Sequence, residues 1–191
     1  ERRQRPGALE SINRTLARLG LGSIAALPQV DGPAARQSLS DIFKPGMIGT
    51  TLLITLAYFA HITSFYFILK WVPKIVVDMG FAPGAAAGVL ANANLGGAIG
   101  GAIFGLVALR FGVRLLTMVC MVLSFAMIVW FGSGSSDLAG LSLVVGIAGL
   151  FTNSSIAGLY LLFARVFPTH VRATGTGFAI GMGRGGAVLA P

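Results

Sequence analysis

Acidic residues are nearly missing from this chain. Six of its 191 residues are Asp or Glu, and beyond Pro45 only Asp78 and Asp137 remain. Charged residues of both signs make up 10% of the sequence, against about 25% in an average soluble domain. No two carboxylates fall together as an acid–base pair, and no nucleophile lies beside a base and an orienting group, so no enzyme active site is visible. Cysteine occurs once, at Cys120, which rules out an internal disulfide, and two histidines are too few for a Cys/His metal cluster. The 27 glycines follow no G-X-Y period, which excludes collagen, and an apolar content of 55% excludes disorder. What the chain does have is long apolar sequence, with a mean hydropathy of +0.83. It reads as a membrane protein. It opens at Glu1 rather than Met and shows no signal peptide, so the expectation is a fragment of a longer chain.

A formal charge of +8 would point to nucleic acid if it covered a soluble surface. It does not: seven of the cations (Arg2, Arg3, Arg5, Arg14, Arg18, Arg36 and Lys44) precede Pro45. Uncharged stretches then run Pro45–Leu69, Met79–Leu109, Leu115–Ser136 and Leu138–Ala164. Roughly 20 apolar residues cross the ~30 Å hydrocarbon core as a helix, so each is long enough to span. A fifth stretch from Ala173 is interrupted by Arg184, and spans only if that charge is tolerated and the chain continues.

Alternating the loops gives the orientation. With the N-terminal segment cytoplasmic, its seven cations join Arg110, Arg114, Arg165 and Arg172 inside, while only Lys70 and Lys74 lie outside. That asymmetry fits the positive-inside rule. The expected partner of these cations is the lipid bilayer, with no nucleic acid.

Residues 1–45 form a polar segment, expected to be cytoplasmic. Within it Ala8–Leu19 places Leu9, Ile12, Leu16 and Leu19 at helical spacing beside Arg14 and Arg18, a short amphipathic helix for the membrane surface or the bundle. Pro28, Gly32 and Pro33 mark a linker. Residues 46–191 form the helix bundle. Its first helix begins near Gly46, and Pro73 should kink or end it. The second runs from about Gly84 to Leu109, with Gly97, Gly101 and Gly105, and Gly96 and Gly100, at the four-residue spacing that lets membrane helices pack closely. The third covers about Val113–Phe131 and the fourth about Leu138–Phe167, joined by the short turn Gly132–Asp137 and so antiparallel. The fifth repeats the small-residue device at Gly177, Gly181 and Gly185. The expected fold class is an all-α polytopic bundle.

Two patterns are decoys. Gly181-Met-Gly183-Arg-Gly185-Gly186 matches G-x-G-x-x-G, but a dinucleotide site needs a preceding strand, and this match lies inside a membrane span. Asn13-Arg-Thr15 and Asn153-Ser-Ser155 match the glycosylation pattern, yet one is expected inside the cell and the other within a span.

Arg184 resists a structural explanation. Ten residues past Thr174, at ~1.5 Å each, it sits about 15 Å into the membrane. An arginine there costs at least ~2.5–3.5 kcal/mol and needs a partner, and the spans carry no acid to supply one. The partner is a bound anion or a group outside this sequence. His61 lies within the first span and either bonds a neighbouring helix or contacts ligand or proton. Tyr58, His61 and Phe65 recur at i, i+3, i+7, an aromatic-lined face or simply core. Asn94, Asn153 and Tyr160 are polar handles that serve as interhelical bonds or as pocket wall.

At these residues the chain resembles the C-terminal half of a major facilitator superfamily transporter, a central loop followed by helices seven to eleven of twelve. The loop Gly105-Leu-Val-Ala-Leu-Arg110-Phe-Gly112-Val-Arg114 is similar to the family's G-x-x-x-D-R-x-G-R, with Leu109 where the aspartate belongs. Phe167-Pro168-Thr-His-Val-Arg172 resembles the family's P-x-x-x-R segment, with Arg165 where many members carry glutamate. More narrowly, Tyr58-Phe-Ala-His61, Phe65-Tyr66-Phe-Ile-Leu-Lys-Trp71-Val-Pro73 and Gly181-Met-Gly-Arg184-Gly-Gly resemble the aromatic acid:proton symporters. The resemblance implies two six-helix halves, alternating access and proton-driven import of an anionic substrate such as a hydroxybenzoate across a bacterial inner membrane. The proton is then the coupling ion and no other cofactor is expected. The missing N-terminal half would be the partner. The substrate site would draw on Arg184, His61, Tyr58, Phe65, Tyr66, Asn94 and Asn153, and the cytoplasmic gating loops on Arg110, Gly112, Arg114, Pro168 and Arg172. The competing readings are a sugar or other metabolite carrier of this fold, and a membrane receptor or scaffold that uses the bundle as an anchor.

Overall fold

Each uncharged stretch folds as one helix in the computed structural model, which describes residues 7–27, 39–133 and 137–190. A short α1 (Ala8–Arg18) precedes α2 (Ile48–Asp78), α3 (Pro83–Val107), α4 (Val113–Gly132), α5 (Leu138–Val166) and α6 (Arg172–Leu189), with no strand among the described residues. α2 to α5 are each long and apolar enough to cross a membrane. α6, whose composition is diluted by Arg184 and glycine, is still a continuous helix of 18 residues, ~27 Å long at 1.5 Å per residue. The expected all-α membrane bundle is what forms.

The described residues belong to two units, one within residues 1–37 and one within 38–191. In the first, α1 half-buries Leu9, Ile12 and Leu16 along one face, with Glu10 and Arg14 paired at 3.1 Å on the other. Gly20, at φ +68°, turns the chain back so that the Leu21 N–H reaches the Leu16 carbonyl at 2.9 Å, the left-handed closure that favours glycine. Asn13 then clasps Ile24, donating to its carbonyl at 3.1 Å and accepting its N–H at 2.9 Å. The expected linker at Pro28, Gly32 and Pro33 lies outside the described residues, as do residues 134–136 of the turn before α5.

In the second unit α5 is the hub. It packs against α2, α3, α4 and α6, whereas the α3 and α4 backbones stay apart despite their short connection and meet through the side chains of Phe104, Val113 and Cys120. Its span is 39% buried against 17% for α4, which places it at the centre. The backbones of α3 and α5 touch. A Cβ added at Gly100 would lie 2.8 Å from both the carbonyl carbon and the Cα of Leu150, and one at Gly149 would run into the backbone of Ala93. Such an approach is available only to residues without a side chain.

The glycine stripes read from sequence are corrected in detail. On α3, Gly96, Gly97 and Gly100 meet α5, while Gly101 and Gly105 face open space. On α6, Gly177 and Gly181 face open space and Gly185 only approaches Phe59 at 3.8 Å. The contacts are made instead by Gly183 and Gly186 against α2 and by Gly175 against Phe167. Four-residue spacing identified a face; the neighbouring helix selected which face. Pro73 does not end α2, which continues to Asp78. The proline removes one backbone hydrogen bond, while Val72 and Val76 on either side are 2% and 0% exposed in a cluster with α3 and α5, and Lys74 pairs with Asp78 one turn from the helix end.

Two tethers fix the helix ends. Ahead of α2, a 3-10 turn at Leu39–Phe43 sinks Ile42 to 0% exposure and takes a hydrogen bond from Thr51 Oγ1 to the Ile42 carbonyl at 2.9 Å. Asp137 caps α5 by accepting the Gly140 N–H at 3.0 Å, which satisfies one of the helix's free donors.

Candidate functional site

The tight seating of α6 on α2 brings the surroundings of Arg184 against Tyr58. Gly183 lies so close to the Tyr58 ring that a Cβ there would overlap it. Arg184, the next residue, is exposed beside that contact, and its guanidinium acts electrostatically on the Tyr58 hydroxyl. Tyr58 itself is 3% exposed, and its hydroxyl lies 3.1 Å from that of Tyr160 on α5. Phe163, one turn along α5, meets the Tyr58 ring edge-on at 5.3 Å. No carboxylate among the described residues pairs with Arg184. A guanidinium, two phenol hydroxyls and three aromatic rings therefore share one locality. Such a set offers charge-assisted hydrogen bonds to an anion and ring edges to an aromatic body.

The remaining expected residues stand elsewhere around α5. Phe65, Asn94 and Asn153 line a cleft between α2, α3 and α5 whose accessible part is about 20 Å³, room for about one water and far too little for an aromatic ring. Neither amide bonds across helices: Asn94 donates to Leu90 O at 2.9 Å and Asn153 to Gly149 O at 3.1 Å, each within its own helix. Tyr66 packs edge-on against Phe65 at 5.4 Å.

His61 turns to a third place. Its Nε2 lies 3.0 Å from the Thr152 carbonyl, so the ring N–H donates there, and Thr152 Oγ1 lies 2.7 Å from Ser124 Oγ on α4. With Ser64 these groups line a groove of about 180 Å³ between α2, α4 and α5. His61 and Phe65 thus lie on opposite sides of Thr152, which lines both spaces, and the i, i+3, i+7 trio does not form a single wall.

The connecting loops are built by their own hydrogen bonds. Arg172 Nε donates to the Phe167 carbonyl at 3.2 Å, and Val171 N–H to the Pro168 carbonyl at 3.0 Å, closing the link from α5 to α6. Gly112 leads into α4 in an extended conformation, with Arg110 and Arg114 exposed on either side.

The sequence reading missed two cross-links. Asn92 on α3 donates to Ser142 on α5 at 2.5 Å, an interhelical bond of the kind expected of Asn94. Trp71 Nε1 donates to the Ala190 carbonyl at 3.3 Å, pinning α2 to the end of α6. Polar residues on the α5-facing side of α3 would have been the signal for the first.

Comparison with known proteins now bears on this arrangement. Over 154 residues the chain is 35% identical to the 3-(3-hydroxy-phenyl)propionate transporter of Escherichia coli (strain K12), a match covering 80% of this chain and 38% of that protein. It is 28% identical over 186 residues to the 4-hydroxybenzoate transporter PcaK of Pseudomonas putida, covering 94% of the chain and 41% of the relative. It is 27% identical over 157 residues to the benzoate transport protein of Acinetobacter baylyi, covering 82% and 34%. The chain is a relative of the aromatic acid transporters. The resemblance carried by its motifs is borne out. The chain spans about two fifths of the length of the first two of these proteins. Four apolar spans and transporter relatives mark it as part of an integral membrane protein. No family model and no solved structure matches it.

Proposed function

We propose that this chain is the C-terminal half of a secondary transporter that imports an aromatic carboxylate by proton symport and alternating access. The protein sits in the bacterial inner membrane, with residues 1–45 cytoplasmic and an N-terminal half as the partner that completes the site. The observation that carries the reading is Arg184, exposed at membrane depth, unpaired with any described carboxylate, and set beside the Tyr58–Tyr160 hydroxyls. A charge there needs a counter-charge, and a substrate carboxylate supplies one with fork geometry. The relatives named for hydroxyphenylpropionate, 4-hydroxybenzoate and benzoate support the same substrate class. The spans carry one carboxylate, Asp78, at the last residue of α2 and paired with Lys74, so the principal proton carrier belongs to the other half, and His61 serves as wall and brace. The loops at Arg110–Arg114 and Pro168–Arg172 flex as the halves rock against each other.

The test is equilibrium binding of 4-hydroxybenzoate and its uncharged amide to the purified intact transporter. Wild type prefers the acid. Arg184→Ala loses ~10–100-fold in affinity for the acid, the worth of a hydrogen bond to a charged group, and little for the amide. Arg184→Lys recovers only part, because it restores charge without the fork. An alanine variant that keeps the acid preference refutes the anion role.

A further inference from the structure

Tyr58 and Tyr160 lie 102 positions apart in sequence, and their hydroxyl oxygens lie 3.1 Å apart in the fold. Distance alone leaves the donor undecided; burial decides it. Tyr58 is 3% exposed, and among the described residues its hydroxyl has Tyr160 as its hydrogen-bond partner. A buried O–H hydrogen must point at an acceptor, and here only one is in reach. Tyr58 therefore donates to the Tyr160 oxygen. Tyr160 is 45% exposed, and its own O–H hydrogen finds no acceptor among the described residues. The pair as a unit presents one unspent donor, at its exposed end.

That donor is preset. A phenol that already accepts a hydrogen bond is a better donor, since hydrogen bonds in a chain polarise one another. The Tyr58 ring that anchors the pair is wedged between Gly183 of α6 and Phe163 of α5, so it has little freedom to turn away. Arg184 is the residue after Gly183, and its side chain leaves α6 at the edge of the Gly183–Tyr58 contact. A ligand anion held by Arg184 thus meets the O–H of Tyr160 as a further donor, while the Tyr58, Tyr160 and Phe163 rings lie alongside.

We infer that Tyr160 is a specificity residue for the substrate anion, donating its hydroxyl hydrogen to a carboxylate that Arg184 holds, and that Tyr58 is the positioning residue behind it. This rests on the anion reading of Arg184 given above. The relay favours a group that only accepts hydrogen bonds and carries charge, as a carboxylate does and an amide does not. The class of ligand is a small aromatic acid whose carboxylate enters between α5 and α6.

The experiment measures binding of 4-hydroxybenzoate and 4-hydroxybenzamide to the intact transporter with Tyr160→Phe, Tyr58→Phe and Arg184→Ala. Tyr160→Phe keeps the ring but leaves the buried Tyr58 hydroxyl without its partner. Circular dichroism and gel filtration therefore confirm that each variant is folded, and the acid-to-amide ratio, which a general loss of stability does not move, is the readout. Tyr160→Phe should weaken binding of the acid by ~10-fold or more, the value of a hydrogen bond to a charged group, and of the amide only a few-fold. Tyr58→Phe leaves the terminal donor in place and should cost the acid less than Tyr160→Phe does. If Tyr160→Phe binds the acid as wild type does while Arg184→Ala loses the acid preference, the inference is wrong and the anion reading stands. If Arg184→Ala keeps that preference, the anion reading itself falls and takes the relay with it. A larger loss from Tyr58→Phe than from Tyr160→Phe overturns the direction of the relay.

Discussion

Replacing Gly100 by alanine tests the contact on which the bundle depends. The new Cβ would lie 2.8 Å from the carbonyl carbon and the Cα of Leu150, and nearer still to the carbonyl oxygen. Optimal contact between carbon atoms is ~3.5–4.0 Å, so α5 must retreat by more than about half an ångström. The obstacle is backbone within a helix, which has no rotamer to adopt in response. The retreat would also strain the Asn92–Ser142 bond and the fit of Gly149 against Ala93, on the same interface. Overpacking of this kind costs ~1–3 kcal/mol, and the rigid setting argues for the upper half of that range. The control is Gly101→Ala, one residue on, where nothing lies within 4 Å and the added methyl meets open space. Unfolding in detergent, followed by circular dichroism over a denaturant series, should show a clear loss for Gly100→Ala and no loss for Gly101→Ala. Equal midpoints for Gly100→Ala and wild type would falsify the backbone-contact argument, as would an equal loss in both variants.

Two further tests address other parts of the molecule. Thr55 Oγ1 is buried with no hydrogen-bond partner among the described residues, so Thr55→Val, which keeps the shape and removes the orphan hydroxyl, should stabilise by about 1 kcal/mol in the same assay; a loss of that size would mean the hydroxyl is used in the intact protein. For orientation, Cys120 is first replaced by alanine, and then Ser133→Cys should react with an impermeant thiol reagent in whole cells while Thr169→Cys should react only after lysis. The reverse pattern would refute the cation asymmetry as a guide to topology.

The helices were legible because charge and glycine mark their ends. The charge-free stretches bounded by Arg114, Asp137 and Arg165 locate α4 and α5 closely, with Val113 and Leu138 as the observed first residues. What could not be read is which face of each helix meets which neighbour. Every span is apolar nearly all round, so hydrophobicity carries no phase, and the hub position of α5 between α3 and α4 has no signature in a list of spans. Small residues carried part of the phase. Gly96, Gly97 and Gly100 were on the right side of α3, but Gly101 and Gly105 belong to the same four-residue pattern and touch nothing. Of the two outcomes expected at Pro73, an end to the helix is excluded: the rule against internal proline weighs one lost hydrogen bond, whereas burial of Val72 and Val76 decides whether the helix continues.

The candidate site divides along the same line. Arg184 could be singled out from sequence because a charge at membrane depth is costly wherever it points. Its neighbours could not, because they depend on the rotation of α6. That rotation is set by Gly183 and Gly186, which seat the helix on Tyr58 and on Phe59 and Thr63 of α2. One residue along a helix is a turn of ~100°. Arg184 is thereby carried out of the α2 contact that Gly183 makes and stands at its edge, close enough for its charge to reach the Tyr58 hydroxyl and still exposed. Phe65 and Tyr58, seven residues apart, differ by only ~20° in phase, whereas His61 is ~60° from Tyr58. On a helix that packs on both α3 and α5, that difference suffices to send His61 to the Thr152 carbonyl of α5 and leave Phe65 in the α3 cleft. The position that the proposed site asks of the arginine is therefore set by the glycine before it.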